Sequence, residues 1–263
     1  MGSSVKFGDV TAAVHDDRVA VAEIGRPPNN FFDADLIGSL ADAYEWAEAE
    51  AGARAVVLCS AGKNFCAGAD FTGRSSARPV RAGDGVGELY AQAARLFQAR
   101  LPVVAAVQGA AVGGGLGLAC SADFRVASPA SRFCANFARL GLHHGFGLSV
   151  TLPAIVGQQH AIAMLYTGRN VAGDEAARIG LADVLTDPDE LRAAAHGLAA
   201  EIAASAPLAV RSIRATQRAG LADRVSKAMA AELAEQDQLR RTADFAEGVR
   251  ASAERRQPKF EGR

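Results

Sequence analysis

Two short apolar runs, Ala55-Val56-Val57-Leu58-Cys59 and Val103-Val104-Ala105-Ala106-Val107, each pass directly into a glycine-bearing turn. Five residues without a polar break, rich in β-branched side chains, read as a strand buried on both faces. Such a strand needs helices above and below it. Phe124-Arg125-Val126-Ala127 is a short third run, and helical patterns lie between the three. Buried strands alternating with helices imply an α/β fold with crossover connections.

The flanking segments fit that frame. Residues 11–15 and 18–24 read as a hairpin-like pair around Asp16-Asp17. Arg26-Pro27-Pro28-Asn29-Asn30 is a stiff turn that cannot start a helix at once. Asp33 can cap the helix that follows, with Leu36, Ile37, Leu40, Ala43, Tyr44 and Ala47 on one face. From about Asp189 strand signals stop. Segments 189–205, 207–219 and 223–256 are rich in Ala, Leu, Glu, Arg and Gln, all good helix formers. The 263 residues therefore divide into a core over 1–200 and a helical region over 201–263.

Several function classes drop out. Lys+Arg is 28 and Asp+Glu is 29, a net charge of −1, where a nucleic-acid binder usually carries a basic excess. No apolar run approaches the roughly 18 residues that a membrane helix needs. The longest candidate, 101–120, is broken by Gln108 and five glycines. The first residues lack the apolar stretch of a signal peptide. Cys59, Cys66, Cys120 and Cys134 form no C-x-x-C pair, which points to reduced thiols and a cytoplasmic setting. Gly113-Gly114-Gly115-Leu116-Gly117 fails the dinucleotide spacing, because Leu118 and Cys120 stand where glycine is required. Gly62-Lys63 fails as a phosphate loop, since Asn64 is neither Ser nor Thr. There is no zinc pattern and no G-x-S-x-G elbow. No metal is expected.

The two turns themselves, 60–70 and 108–117, hold small residues where a strand's C-terminal end turns toward a helix. Ligands bind at that edge of α/β sheets. Glycines there either serve close packing alone or let a ligand approach exposed backbone N–H groups. At a helix N-terminus those groups have no internal partner and the macrodipole adds positive potential. Two such turns facing each other could hold one oxyanion between two amides.

A series of short segments carries a family likeness: Arg26-Pro27-Pro28-Asn29-Asn30, Phe65-Cys66-Ala67-Gly68-Ala69-Asp70, residues 102–109, Gly113-Gly114-Gly115, residues 121–127, Phe133, Leu140-Gly141, Tyr166-Thr167-Gly168, and Ala176 followed by Gly180-Leu181. In order and spacing the chain resembles the crotonase family, the enoyl-CoA hydratases and isomerases, over nearly its whole length. The resemblance implies a spiral of ββα units, a C-terminal helical part used in trimer formation, and an acyl-CoA thioester substrate. No cofactor is implied beyond coenzyme A as part of that substrate. Matched by motif, the oxyanion donors are the N–H groups of Ala69 and Gly114, with Ala67 beside them. Asp70, Phe71 and Thr72 continue the loop that would lie along coenzyme A. Arg26 could reach one of its phosphates or form a surface salt bridge. A homotrimer or dimer of trimers is expected, with Leu221, Val225, Met229, Leu233 and Leu239 seeking a partner surface.

The chain departs from the hydratase pattern at the proton-transferring positions. Hydratases of this family carry two glutamates, and Gly117 and Phe137 occupy those positions here. Gly145 stands where some isomerases and dehalogenases of the family place an aspartate. None of the three can move a proton, so standard hydration is expected to be weak or absent. In the stretch expected to line the acyl end, His143 and His144 are the side chains that titrate near neutral pH. They are the acid–base candidates, against a plain loop role. Three readings stay open: an acyl-CoA enzyme of the hydratase/isomerase type working through an enolate, a decarboxylase or isomerase using His144, and a catalytically silent acyl-CoA binder.

Overall fold

A computed structural model describes residues 4–70, 77 and 86–263. The chain runs through β1 (Ser4–Phe7), β2 (Val10–Val14), β3 (Val19–Ile24), α1 (Ala34–Ala49), β4 (Ala55–Ser60), α2 (Val86–Gln98), β5 (Val103–Val107), β6 (Ala110–Val112), α3 (Gly114–Ser121), β7 (Phe124–Ala127) and β8 (Arg132–Cys134). It continues through α4 (Leu148–Val156), α5 (Gln158–Thr167), β9 (Asn170–Ala172), α6 (Gly173–Arg178), β10 (Val184–Leu185), α7 (Leu191–Ala204), α8 (Pro207–Gln217), α9 (Leu221–Leu239) and α10 (Ala243–Glu254).

Among the described residues, seven strands form one sheet in the order β1-β2-β3-β4-β5-β7-β10. The first three pair antiparallel and the rest parallel. β4 and β5 are buried along their whole length, as their apolar runs require. Alternate residues feed two cores. Val56, Leu58, Val103, Ala105 and Val107 pack on the side of α1 and α2. Val57, Cys59, Val104 and Ala106 meet Leu191, Ala195, Ala199 and Ala203 of α7 on the other. Small alanines at helical spacing let α7 lie close to the sheet, and position 200 falls inside it. Asp33 caps α1, accepting from Leu36 N–H at 3.0 Å, and the expected face of α1 is buried.

A second sheet, β6-β8-β9, consists of three-residue strands that carry no readable periodicity. The helical tail breaks after Leu239, and the Thr242 side chain caps α10 by accepting from Phe245 N–H. The apolar stripe of α9 differs from its expected use. Val225 and Met229 are buried in this chain's own core, and Leu221, Leu233 and Leu239 pack against it. Val225 and Met229 are therefore covered within this chain, and Leu221, Leu233 and Leu239 partly so. Large exposed apolar side chains stand instead on α8, Leu208 at 81% and Ile213 at 61%. Among the described residues, no single helix is long and apolar enough to cross a membrane.

Candidate active site

The turn after β4 is locked onto the turn after β5 by backbone hydrogen bonds. Phe65 N–H donates to Gln108 O at 2.8 Å, Cys66 N–H to Ala110 O at 3.0 Å, and Val112 N–H to Cys66 O at 3.0 Å. Ala67 N–H is held by Asn29 O at 2.9 Å, so the Pro-rich turn braces the same loop. Asn30, fully buried, reinforces that brace by donating from Nδ2 to Ala61 O and Asn64 O.

This lacing seats the 67–70 turn against the start of α3. Gly68 has φ +82°, and a β-carbon there would lie 2.8 Å from Val112 O and 3.2 Å from Gly114 N. Gly113, with φ +58°, lets the chain swing into α3. Only glycine adopts such a conformation at little cost. Among the described residues, neither the Ala69 nor the Gly114 N–H donates to a protein acceptor. Gly114 opens α3, so its N–H has no helical partner and sits at the positive end of the dipole.

Ala69 and Gly114 both line a cavity of about 180 Å³. Its walls include Phe31, Phe32, Val86, Leu89, Phe137, Leu140 and Phe146, with Tyr90, Asn136, Gln236 and Arg240 as polar interruptions. Of the residues expected at the site, Ala67, Ala69, Asp70, Gly114 and Phe137 line the cavity. Asp70 is buried there and engaged by a partner. Phe71 and Thr72 lie outside the described residues. Arg26 does not line it; its guanidinium is tied to Asp9 at 2.6 Å and Asp33 at 2.9 Å, which anchors the Pro-rich turn to the start of α1.

The histidines differ from expectation. Neither His143 nor His144 belongs to the lining. Their rings stack at 4.1 Å beside α4. His143 Nδ1–H donates to His144 O at 2.8 Å. Ser149 Oγ–H donates to Glu232 Oε1 at 2.6 Å, so it accepts from His144 Nε2–H at 2.8 Å. Burial, with His143 nearby, pushes His144 down to about 4, leaving a neutral imidazole at pH 7. Local sequence spacing did not show that α9 supplies Glu232 here. Its carboxylate also accepts from Gly147 N–H and Ser149 N–H, capping α4.

Gly117, one of the two positions where the resemblance leads one to expect a carboxylate, has no room for a side chain. A β-carbon at Gly117 would lie 2.6 Å from Phe146 Cβ. Phe146 sits in the left-handed region, with its ring 5.4 Å from Phe32. Gly114 likewise has no room for a side chain, because Phe32 Cζ lies 2.3 Å from where its β-carbon would be. Burial pushes the Cys66 thiol up to about 12 and Cys134 to about 11, so neither is a thiolate near neutral pH.

Sequence reasoning missed Tyr90, Gln236 and Arg240. Tyr90 hides within the apolar spacing Val86, Leu89, Ala93 of α2. Glu232 and Gln236 of α9 and its C-cap Arg240 recur every four residues, a polar stripe beside the apolar one that could have drawn notice.

Known proteins resemble this architecture closely. A family model described as enoyl-CoA hydratase/isomerase matches residues 15–263. Crotonyl-CoA hydratase of Syntrophomonas wolfei is 33% identical over 248 residues, covering 93% of this chain and 95% of the relative. Short-chain-enoyl-CoA hydratase of Clostridium acetobutylicum is 33% identical over 250 residues, covering 94% and 95%. The crystal structure of an enoyl-CoA hydratase/isomerase from Pseudoalteromonas atlantica T6c superposes with a TM-score of 0.84 at 29% identity, covering 96% of this chain and all of that one.

Proposed function

Because the chain belongs to the enoyl-CoA hydratase/isomerase family, we propose that its cavity binds an acyl-CoA and holds the thioester oxygen between the Ala69 and Gly114 N–H groups as an enolate forms. The observation that carries this reading is the pair of backbone donors, without a protein acceptor among the described residues, on the wall of one largely apolar cavity. Such donors act where charge develops, and losing one typically lowers the rate by roughly 10²–10³. Coenzyme A enters only as part of the substrate, running past Ala67 and Asp70. The names of the two hydratase relatives support a short acyl chain. Phe146 over Gly117 and the apolar Phe137 favour reactions that pass through that enolate, formed by loss of a proton or of carbon dioxide from the acyl-CoA and consumed by protonation, over hydration by a carboxylate pair. His143 and His144, off the lining, are left outside this reading. Assembly into a homotrimer or dimer of trimers belongs with it, and exposed Leu208 and Ile213 offer apolar surface for that. The four unpaired cysteines support a cytoplasmic setting.

The test is ligand-sided, which avoids distorting Gly114. Affinity is measured for a short acyl-CoA and for the matching thioether, which lacks the carbonyl oxygen. Two lost hydrogen bonds of about 0.5–1.5 kcal/mol each weaken the thioether by roughly 5–150-fold. Equal affinity would refute the oxyanion assignment and leave a silent carrier.

A further inference from the structure

We propose that the Tyr90 hydroxyl is the proton donor of this cavity, delivering its proton to the α-carbon of the enolate held at Ala69 and Gly114. The inference rests on the thioester reading above and adds the acid that the missing carboxylates leave unassigned.

Tyr90 projects from α2 into the same cavity as the two amides and is 8% exposed. Its oxygen lies over Gly145. A β-carbon built there would fall 2.0 Å from Tyr90 Oη and 2.6 Å from Gln236 Nε2. The phenol thus takes up space that a side chain at 145 would need. The Phe146 backbone N–H and the Gln236 side-chain amide both act on its oxygen in the sense that favours the anion. The Gln236 orientation is set from both ends. Nε2 donates to His143 O at 3.1 Å, and Oε1 accepts from Arg240 Nη2 at 3.3 Å. A phenol has one proton. Among the described residues no protein acceptor takes that proton, which leaves it for an acceptor in the cavity.

Burial and the nearby Glu232 carboxylate disfavour the tyrosinate and keep the proton on the phenol until it is transferred. Burial raises the Tyr90 phenol above its ordinary value, so it carries its proton at neutral pH. The Arg240 guanidinium acts in the opposite sense, favouring the anion. In the step, the Oη–H bond breaks and the enolate π pair forms the new Cα–H bond. The thioester C=O is restored, and the negative charge passes to Tyr90 Oη. Phe146 N–H, the Gln236 amide and Arg240 stabilise that tyrosinate until solvent water returns a proton.

The test titrates acetoacetyl-CoA bound to the full chain, following the ultraviolet absorbance of its enolate. Wild type should bind it and lower its ionisation midpoint below the value in water. Tyr90→Phe should raise that midpoint by about 1–2 pH units, the size of one lost hydrogen bond to a charged group. Affinity for a saturated acyl-CoA should change little. Gln236→Leu, which keeps the phenol, should give a smaller rise, and it carries the test if Tyr90→Phe does not fold. Tyr166→Phe, at an exposed tyrosine, should give none. A lowered midpoint in wild type that Tyr90→Phe and Gln236→Leu both leave unchanged overturns the Tyr90 assignment while the amide pair stands. Absence of binding, or no lowered midpoint in wild type, overturns both.

Discussion

Restoring the family's carboxylate at position 117 should fail, and the geometry says by how much. A β-carbon there sits 2.6 Å from Phe146 Cβ and 2.9 Å from its Cγ and Cδ1. Phe146 is 1% exposed, so it has no solvent to move into. Overpacking of this kind costs about 1–3 kcal/mol. A carboxyl group buried without a partner adds about 1–3 kcal/mol more. Gly117→Glu should therefore lose about 2–6 kcal/mol, a large part of a typical domain's stability. Phe146→Ala alone should lose about 3–5 kcal/mol through the cavity it leaves. In the double variant the glutamate occupies that cavity, so the combined loss should fall short of the sum by more than about 1 kcal/mol. Urea unfolding followed by circular dichroism measures all three. Crotonyl-CoA hydration, followed by loss of enoyl absorbance, should stay near background in wild type and in Gly117→Glu. Additive losses, or a Gly117→Glu protein with wild-type stability and rapid hydration, would refute the claim that Phe146 occupies the carboxylate's place.

Other perturbations follow from the α4–α9 contact. Glu232→Ala leaves the Gly147 and Ser149 N–H groups and the Ser149 hydroxyl without their acceptor, and should lower stability by about 1–3 kcal/mol in urea unfolding. Loss below about 0.5 kcal/mol would mean that water replaces the carboxylate without penalty. Acid should destabilise the fold through His144, whose folded midpoint near 4 lies below its ordinary 6.5. The unfolded chain then binds a proton that the folded chain does not, so stability falls as pH drops from about 6.5 to 4. His144→Gln should flatten the pH dependence of the urea midpoint in that window, and an unchanged slope contradicts the assignment.

Much of this fold was written locally. The runs at 55–59 and 103–107 became fully buried strands, as their shortness, β-branching and flanking glycine turns favour. Asp33 announced α1 through ordinary capping chemistry. The glycine turns were legible because φ near +82° at Gly68 and +58° at Gly113 excludes most other residues. What stayed hidden depends on distant chain segments. The strands of the β6-β8-β9 sheet are too short to show a period. Tyr90 looks like core until Gln236, 146 positions further on, is placed beside it. His143 and His144 drew attention by residue type, yet Glu232 and Ser149 hold His144 away from the lining, a contact no spacing within 133–145 could reveal.

The central claim, that Ala69 and Gly114 polarise a thioester carbonyl, is open to one direct measurement. Isotope-edited infrared difference spectra of a 1-¹³C-labelled acyl-CoA bound to the protein report that carbonyl's bond order. Two preorganised N–H donors weaken the C=O bond more than water does. The stretch of the bound thioester should therefore move to lower wavenumber than in solution. A bound carbonyl at its solution frequency or above would contradict the account.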